Sequence, residues 1–240
     1  MSDWDASTYG ERAATVYDEW GSPTADSIAF LAELAGPGPV LELGLATGNV
    51  SLPLAERGLD VVGVEPSLAM IEQLRAKPGG DRVRAIEGSL LDVELDERFS
   101  LVFAIGDTLF LLESQGDQLH AFERAAAWMA DDGAFVVETI MPWILFERRP
   151  FVVVDSIEPD EVRISVGQFD AAEQRMSFAH VALGSRGVRL YPFRGRFALL
   201  GELDLMAHMA GLKLRERWAG WRQEPLAAQS RRQVSVYERA

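Results

Sequence analysis

The 240-residue sequence contains no cysteine and almost no lysine, and both shortages narrow its function. Without cysteine there can be no disulfide framework, no thiol nucleophile and no Cys-ligated zinc or iron–sulfur centre. Only Lys77 and Lys213 are lysines among 23 basic residues, which face 37 acidic ones and leave a formal net charge of −14. Because that charge repels a phosphate backbone and the sequence has no run rich in Lys and Arg, we expect no nucleic-acid partner.

Targeting segments and long apolar runs are also lacking. The first residues are acidic and polar, the reverse of a signal peptide, and the longest apolar stretches, such as residues 28–35, are too short to span a bilayer. We therefore expect a cytoplasmic protein with no membrane partner. With 48% apolar residues the chain can bury a substantial core, and its length suits one domain over residues 1–240.

Short apolar segments alternate with helical patterns through the first 140 residues. Strands are predicted at residues 39–44, 59–65, 82–87, 99–105 and 134–140, with helices at 49–57, 67–76 and 115–130. A further helix at 202–210 and strands at 212–218 and 233–237 follow near the end of the chain. This alternation predicts an α/β fold with a mostly parallel sheet and helices on both faces.

A different pattern occupies residues 148–200. Apolar and polar residues alternate with period two, as in Val162, Ile164 and Val166, and residues 184–187 form a predicted hairpin turn. We expect three or four antiparallel strands inserted after the fifth strand of the parallel sheet.

A glycine-rich turn between the first strand and the next helix carries the strongest functional signal. Residues 42–48 read E-L-G-L-A-T-G, and Glu65 ends the following strand. Such a turn brings backbone N–H groups close to a ligand. An acidic residue about 20 positions later is placed to accept hydrogen bonds from a ribose diol. Two ligands compete for this pattern, a dinucleotide and S-adenosylmethionine. The dinucleotide fingerprint would need glycines at the positions of Ala46 and Asn49.

Residues 42–48 resemble motif I of the class I S-adenosylmethionine-dependent methyltransferases. Four later segments resemble the family in the same order, namely residues 61–67, 87–90, 99–104 and 131–135. The resemblance covers about residues 30–140 and implies a Rossmann-like seven-stranded mixed sheet, S-adenosylmethionine as cofactor, and N- or O-methylation of a small-molecule acceptor. Ala46 and Ser89 depart from the family pattern. The alternative is a protein of the same fold that binds S-adenosylmethionine or a nucleotide without methyl transfer, as a scaffold or as another class of enzyme.

The resemblance also implies a set of cofactor contacts, in which Glu65 takes the ribose hydroxyls and Ser89 meets the adenine edge. Residues 1–35 are expected to fold as a lid over the cofactor, with Tyr9 and Tyr17 in an aromatic cluster. The full set of predicted cofactor contacts is Tyr17, Glu42, Gly44, Ala46, Gly48, Glu65, Pro66, Met70, Ser89, Leu90, Ile105 and Gly106.

Asp107 follows the fourth strand, at the sheet edge where open α/β folds bind ligands. It is a candidate base or amine-orienting carboxylate, or else it caps the next turn. Trp143, His180 and Tyr191 are the candidate substrate residues, and the aromatics Phe146 and Phe193 lie near them. His180 either faces the cleft or is satisfied by a cross-strand partner. The resemblance implies that the insertion serves substrate binding or dimerisation, so the other four rings either wall an apolar pocket, form the core of the insertion, or contact a second subunit of a homodimer. We expect no metal site.

Overall fold

The computed structural model of the protein describes residues 5–20, 23–143 and 150–240, in which eleven strands form two sheets. The strands are β1 (Val40–Leu43), β2 (Val61–Glu65), β3 (Val83–Glu87), β4 (Phe99–Ala104), β5 (Met129–Ile140), β6 (Phe151–Ile157), β7 (Glu161–Asp170), β8 (Arg175–Gly184), β9 (Gly187–Arg196), β10 (Leu212–Trp218) and β11 (Arg232–Arg239). The predicted lid and insertion are therefore described except for residues 1–4, 21–22 and 148–149, and Phe146 also lies outside the described residues.

Six α-helices accompany the strands in this part of the chain. They are α1 (Thr8–Ala13), α2 (Ala25–Ala35), α3 (Ser51–Glu56), α4 (Leu68–Ala76), α5 (Gln115–Trp128) and α6 (Leu200–Met209). Ser67 begins α4 as predicted, because its Oγ accepts the Met70 N–H at 3.2 Å. No described helix is long and apolar enough to cross a bilayer.

The larger sheet has the order β10-β11-β5-β4-β1-β2-β3 and confirms the predicted Rossmann-like mixed sheet. All neighbours are parallel except β11, which runs antiparallel to both β5 and β10. Alternate residues of β1 pack on opposite faces. Leu41 joins a core with Phe122 of α5, while Val40 joins a second core with Leu31 of α2 and Leu54 of α3. Helices thus cover both faces, as the sequence predicts.

Strand β5 begins five residues before the predicted start at residue 134. Its first residue, Met129, pairs with Phe99, and the register then shifts before Ala134 pairs with Leu101. An added Cβ on Gly133 would lie 2.9 Å from the Phe99 carbonyl oxygen. Asp132 and Gly133, which lie between the predicted helix and the predicted strand, therefore belong to an irregular part of β5.

The smaller sheet has the order β6-β7-β8-β9 and is antiparallel throughout, which confirms an antiparallel sheet inserted after β5. Gly184 pairs with Gly187, so the predicted hairpin turn joins β8 to β9. Along β6 the register shifts between Val154 and Ser156, which leaves Asp155 in a bulge. The outer face of this sheet exposes apolar side chains such as Val152 and Val188, and the expected homodimer stays a prediction.

Candidate functional site

The main cavity, of about 540 Å³, lies between the carboxyl ends of β1, β2 and β4 and the inner face of the insertion sheet. Most of the residues predicted to bind cofactor or acceptor line it: Tyr17, Gly44, Ala46, Glu65, Pro66, Met70, Ser89, Leu90, Gly106, Asp107, Trp143 and His180. The other predicted residues, Glu42, Gly48, Ile105 and Tyr191, are not among its described lining.

Two glycines of the loop after β1 have different roles. Both have positive φ, +79° at Gly44 and +75° at Gly48, which favours glycine at each position. A Cβ on Gly44 would lie 2.7 Å from Thr108 Cγ2, so this glycine admits the turn after β4 beside the cavity. A Cβ on Gly48 would lie 2.5 Å from Leu74 Cδ1 of α4. Gly48 therefore serves helix packing behind the cavity.

Glu65 ends β2 on the cavity wall and is buried. One carboxylate oxygen accepts the Ala46 N–H at 2.8 Å and the other accepts the Ser67 N–H at 3.0 Å, which fixes the glycine loop against the start of α4. Burial raises the pKa of Glu65, and the two backbone hydrogen bonds offset part of that rise. A carboxylate has about four lone-pair positions, so Glu65 keeps acceptor capacity for a ligand hydroxyl.

Glu42 lies behind the loop rather than on the cavity wall. Its carboxyl group is buried in β1 and accepts a hydrogen bond from the Ser51 hydroxyl at the start of α3. Burial raises the pKa of Glu42 to about 8, against the lowering effect of Ser51. Its side chain therefore ties β1 to α3.

Asp107 lines the cavity just after β4, in the left-handed conformation with φ of +68°. Its side chain makes no capping hydrogen bond to the following turn, Thr108–Leu111. One oxygen instead accepts the Ile140 N–H at 2.5 Å, and the other lies 3.2 Å from Arg232 Nη2. Burial raises the pKa of Asp107, and the Arg232 guanidinium offsets only part of the rise. Both oxygens are thus engaged within the protein.

A second carboxylate completes this network. Glu138 pairs with Arg232 Nε, and its other oxygen accepts the Gly106 N–H at 2.7 Å. Arg232 thereby joins Asp107 after β4 to Glu138 in β5. Sequence reasoning missed Glu138 and Arg232, because positions 107, 138 and 232 come together only through the parallel pairing of β4 with β5 and the antiparallel pairing of β5 with β11.

The N-terminal segment, residues 5–20, covers one side of the cavity. Tyr9 and Tyr17 both line it, with their ring centroids 6.4 Å apart, and burial raises the pKa of Tyr17 so that the phenol stays protonated. Next to Tyr17, Asp18 accepts a hydrogen bond from the Thr47 hydroxyl at 2.5 Å and pairs with Lys77 Nζ at 2.7 Å. These bonds hold the segment on the glycine loop.

The inner face of the insertion sheet is aromatic. Phe151 stacks on Phe169 with centroids 5.5 Å apart and also contacts Phe178 at 5.4 Å. Between them a Cβ on Gly167 would lie 2.6 Å from the Phe151 ring, so glycine makes room for these side chains. All three rings line the cavity, so they form a pocket wall and a core of the insertion at once.

The two other predicted aromatic residues of the acceptor site differ in position. Trp143 lines the cavity, and its Nε1–H donates to the Ser230 carbonyl at 2.8 Å, which fixes the indole. The Tyr191 ring lies off the cavity wall and packs edge-on against Trp20 at 4.9 Å. Tyr191 therefore supports the N-terminal segment.

A polar cluster interrupts this aromatic face. The Ser165 hydroxyl donates to Asp155 Oδ2 at 2.7 Å and lies 3.0 Å from His180 Nδ1. Burial lowers the pKa of His180, and the nearby Asp155 offsets part of the effect. The sequence pointed to His180 alone, because only the strand register and the β6 bulge bring Asp155 and Ser165 to it.

Comparison with known proteins identifies the family. Residues 40–133 match a family model described as a methyltransferase domain. The cypemycin N-terminal methyltransferase of Streptomyces sp. is 28% identical over 243 residues, covering 98% of this chain and 99% of that protein. The amino pentose methyltransferase CalS10 from Micromonospora echinaspora, solved with bound S-adenosylmethionine, is 20% identical with a TM-score of 0.66 over 90% of this chain and 89% of that one, and shares the fold.

The solved structure of the CcbJ methyltransferase from Streptomyces caelestis is more similar. It is 38% identical, with a TM-score of 0.91, over 99% of this chain and 100% of that chain. Because this similarity extends along nearly the whole chain and residues 40–133 match the methyltransferase domain, the chain belongs to the class I S-adenosylmethionine-dependent methyltransferases, and S-adenosylmethionine is its cofactor.

Proposed function

We propose that the protein transfers a methyl group from S-adenosylmethionine to an amine nitrogen of a small acceptor, or of a peptide N-terminus, bound between the two sheets. The observation that carries the proposal is the continuity of the cavity from the glycine loop to the insertion sheet. A cofactor on one wall and an acceptor on the other would then share one enclosed space. The relative named for N-terminal methylation of cypemycin supports a nitrogen acceptor.

The sheet end of the cavity fits the cofactor. Gly106 has φ of +64°, and a Cβ added there would meet no atom within 4 Å, so the backbone is open to a ligand at this point. Glu65 offers acceptor oxygens for ribose hydroxyls, and the apolar side chains of Met70 and Leu90 lie on the same wall for the adenine. Bound S-adenosylmethionine supplies a methyl carbon that its sulfonium sulfur already activates. The protein then has to position the acceptor and exclude water.

The charges on the wall favour an amine over a hydroxyl acceptor. Among the described lining residues, the carboxylates are Asp5, Glu65, Asp107 and Asp155, and the cationic side chains are Arg194 and Arg231. A protonated amine is drawn towards this excess of negative charge and towards the faces of aromatic rings, whereas a neutral hydroxyl gains nothing from either. The net charge of −14 acts in the same direction.

The proposal is tested by incubating the protein with S-adenosylmethionine whose methyl group is labelled. Three acceptors are added in separate, parallel reactions. Alanyl-alanine offers a peptide N-terminus, glucosamine offers an amino sugar, and phenol offers a hydroxyl. We expect label on one or both amines and none on phenol. Label on phenol alone would contradict amine transfer. Cofactor binding without transfer to any of the three would favour the alternative, a cofactor-binding protein of this fold.

Glu65→Gln tests the proposed cofactor end of the cavity. The amide can still accept one backbone N–H but presents a weaker acceptor to the ribose, so we expect about tenfold lower S-adenosylmethionine affinity in calorimetry. Glu87→Gln is the matched control, since Glu87 pairs with Glu65 in the register of β2 and β3 but is exposed. Equal affinity in the two folded variants would refute the ribose role of Glu65.

A further inference from the structure

We propose that Asp155, Ser165 and His180 form a proton-accepting site on the insertion sheet, in which His180 binds the acceptor amine and takes its proton. This inference rests on the proposed amine methylation and assigns a base to it. The site is distinct from Asp107, which follows β4 and is paired with Arg232 of β11.

Three different strands contribute to the site. His180 of β8 lies directly opposite Ser165 of β7 in the antiparallel register, so their side chains emerge on the same face. Val153 of β6 is the register partner of Ser165, and Asp155 lies two residues further along, in the bulge of that strand. The Asp155 carboxylate accepts the hydrogen bond of the Ser165 hydroxyl from this diagonal position. All three side chains line the cavity.

The hydrogen bonds define which nitrogen of His180 carries the proton. The Ser165 hydroxyl has one hydrogen and donates it to the Asp155 carboxylate at 2.7 Å. His180 Nδ1, 3.0 Å from the same oxygen, must therefore be the donor of the second bond. The neutral ring then has its lone pair on Nε2, which has no hydrogen-bond partner in the described part of the chain. His180 is thus prepared to accept a proton at Nε2.

The surroundings suit an amine and provide an exit for its proton. The His180 ring lies 4.7 Å from Trp20 and 5.1 Å from Phe178, measured between ring centroids, so it sits among aromatic faces that attract an ammonium group. Asp155 keeps 38% of its side chain exposed. A proton taken by His180 can therefore pass through Ser165 to a carboxylate that contacts water.

The chemical step balances with no further reactant. The acceptor nitrogen forms a bond to the methyl carbon, the carbon–sulfur bond breaks, and its electron pair stays on sulfur. A protonated amine has no free electron pair, so one proton must leave the nitrogen before attack, and His180 Nε2 receives it. Loss of the Nδ1 proton through Ser165 to Asp155 leaves the neutral Nε2–H tautomer. Release of the Nε2 proton to solvent and return of a proton to Nδ1 then restore the starting form of the ring.

The ionisable groups around His180 set the direction of its pH dependence. Asp155 approaches from β6, Tyr191 is its partner on β9, and two positions along β7 from Ser165 the cation of Arg163 is paired with Glu19 of the N-terminal segment. Burial lowers the pKa of His180 despite Asp155, so the ring is neutral at neutral pH. Activity that needs the neutral ring falls as the pH drops through this lowered pKa.

The site is first tested without methyl transfer, by NMR of the full chain labelled with ¹⁵N-histidine. Only three histidines are present, and His120 and His208 lie exposed in helices as internal references. We expect His180 as the Nδ1–H tautomer in the wild type and a loss of that preference in Ser165→Ala. Benzylamine should shift the His180 signals alone, at a concentration at least tenfold below that of benzyl alcohol. An Nε2–H tautomer, or equal responses to both probes, would overturn the proposal.

Kinetics then separates this inference from the proposed function. With benzylamine as acceptor we expect His180→Asn to lower kcat/KM by about 10²–10⁴-fold and to remove the acidic limb of the pH profile. The control, His120→Asn, should leave both unchanged. Unaltered kcat/KM in His180→Asn would overturn the role of His180 and leave the proposed function standing. A benzylamine shift at His180, with no transfer by the wild type to benzylamine, alanyl-alanine or glucosamine, would refute the proposed function and leave an amine-binding site.

Discussion

Glu42 is a residue whose carboxyl group keeps its proton at a pH where a carboxyl group in water has lost it. Its carboxyl group is buried, with the Ser51 hydroxyl donating to it, and its pKa rises from the ordinary 4.5 to about 8. At neutral pH the native state therefore holds a proton that the unfolded chain has released. Folding stability consequently falls as the pH rises from about 4.5 to 8, because the unfolded state gains the favourable charged form.

Glu42→Gln should remove this part of the pH dependence. The amide is nearly isosteric with the protonated carboxyl group and can still accept from Ser51, so the variant should match the wild type near pH 5. Above that pH it should become more stable than the wild type, by up to about 1.4 kcal/mol per pH unit. Urea unfolding at pH 5, 6, 7 and 8 measures the difference.

Glu33→Gln is the control for that series, since Glu33 is exposed on α2. It should follow the wild type at every pH. The other buried carboxyl groups, including Glu65 and Asp107, are present in all three proteins, so their effects cancel in the comparison. If Glu42→Gln also follows the wild type, Glu42 is ionised in the native state.

At the scale of single elements, a small number of polar contacts hold the N-terminal segment on the glycine loop. Lys77 Nζ lies 2.7 Å from Asp18, and it also donates to the Thr47 carbonyl and to Asn49 Oδ1, both at 2.8 Å. One ammonium group thus joins the segment to the glycine loop. Because the Asp18 side chain is about half exposed, the ion pair itself is worth little, and the three partners act together.

Lys77→Met should loosen the N-terminal segment without unfolding the domain. The thioether keeps the apolar stem but loses all three donors, so we expect faster hydrogen exchange over residues 8–19. We also expect S-adenosylmethionine affinity to fall about fivefold, for a loss of roughly 1 kcal/mol. Lys213→Met, at the other lysine, is the control because Lys213 of β10 is paired with Glu238 of β11, 3.5 Å away in the other part of the sheet, and not with the N-terminal segment. Similar exchange in the two variants would contradict this attachment.

The same elements show where sequence reasoning succeeds and where it stops. The alternation of apolar strands with capped helices is local, so β1 to β4 and the cap at Ser67 follow from the sequence. The irregular start of β5 does not, because it depends on close approach between Gly133 and Phe99 of the neighbouring strand. The glycine pattern predicts the loop after β1, but it does not distinguish the role of each glycine. Gly48 makes room for Leu74 of α4, and that neighbour is determined by helix packing rather than by the local sequence.

Side chains that act in pairs are harder to predict. Asp107 and His180 are recognisable as single residues, yet their partners lie up to 125 positions away in the sequence. Arg232 reaches Asp107 because β11 reverses direction beside β5, and Asp155 reaches His180 through a bulge. Neither register is encoded by local hydrophobic patterning. The sequence therefore indicates which residues carry chemistry, whereas the structure is needed to show which of them are already paired.

At the scale of the whole molecule, the insertion sheet is fastened to the cofactor domain by one buried guanidinium. Arg196, at the end of β9, is only 7% exposed. It donates to Gln118 Oε1 of α5 and to Gln174 Oε1 after β7, both at 2.6 Å, and to Glu202 Oε1 of α6 at 2.5 Å. The planar fork of arginine reaches these three acceptors at once, a geometry that a lysine ammonium cannot supply.

Arg196→Met should destabilise the whole molecule rather than loosen one strand. Glu202 would remain as a largely buried carboxylate without its cation, and the two amide oxygens would lose their donor, so we expect a loss of about 3–5 kcal/mol in the free energy of unfolding. Arg186→Met is the control, since Arg186 is 69% exposed and lies 3.7 Å from Glu161. Its unfolding free energy should change by less than about 0.5 kcal/mol.

Arg196→Lys separates the charge of this side chain from its shape. If the positive charge alone matters, lysine should restore most of the stability lost in Arg196→Met. We expect it to restore less than half, because one ammonium group on a flexible stem leaves at least one of the amide oxygens of Gln118 and Gln174 without a donor. Urea unfolding of the four proteins at one pH measures this. Full rescue by lysine would show that the positive charge suffices without the planar fork. Equal stability of Arg196→Met and Arg186→Met would show that apolar packing between the two sheets holds the insertion in place without the guanidinium.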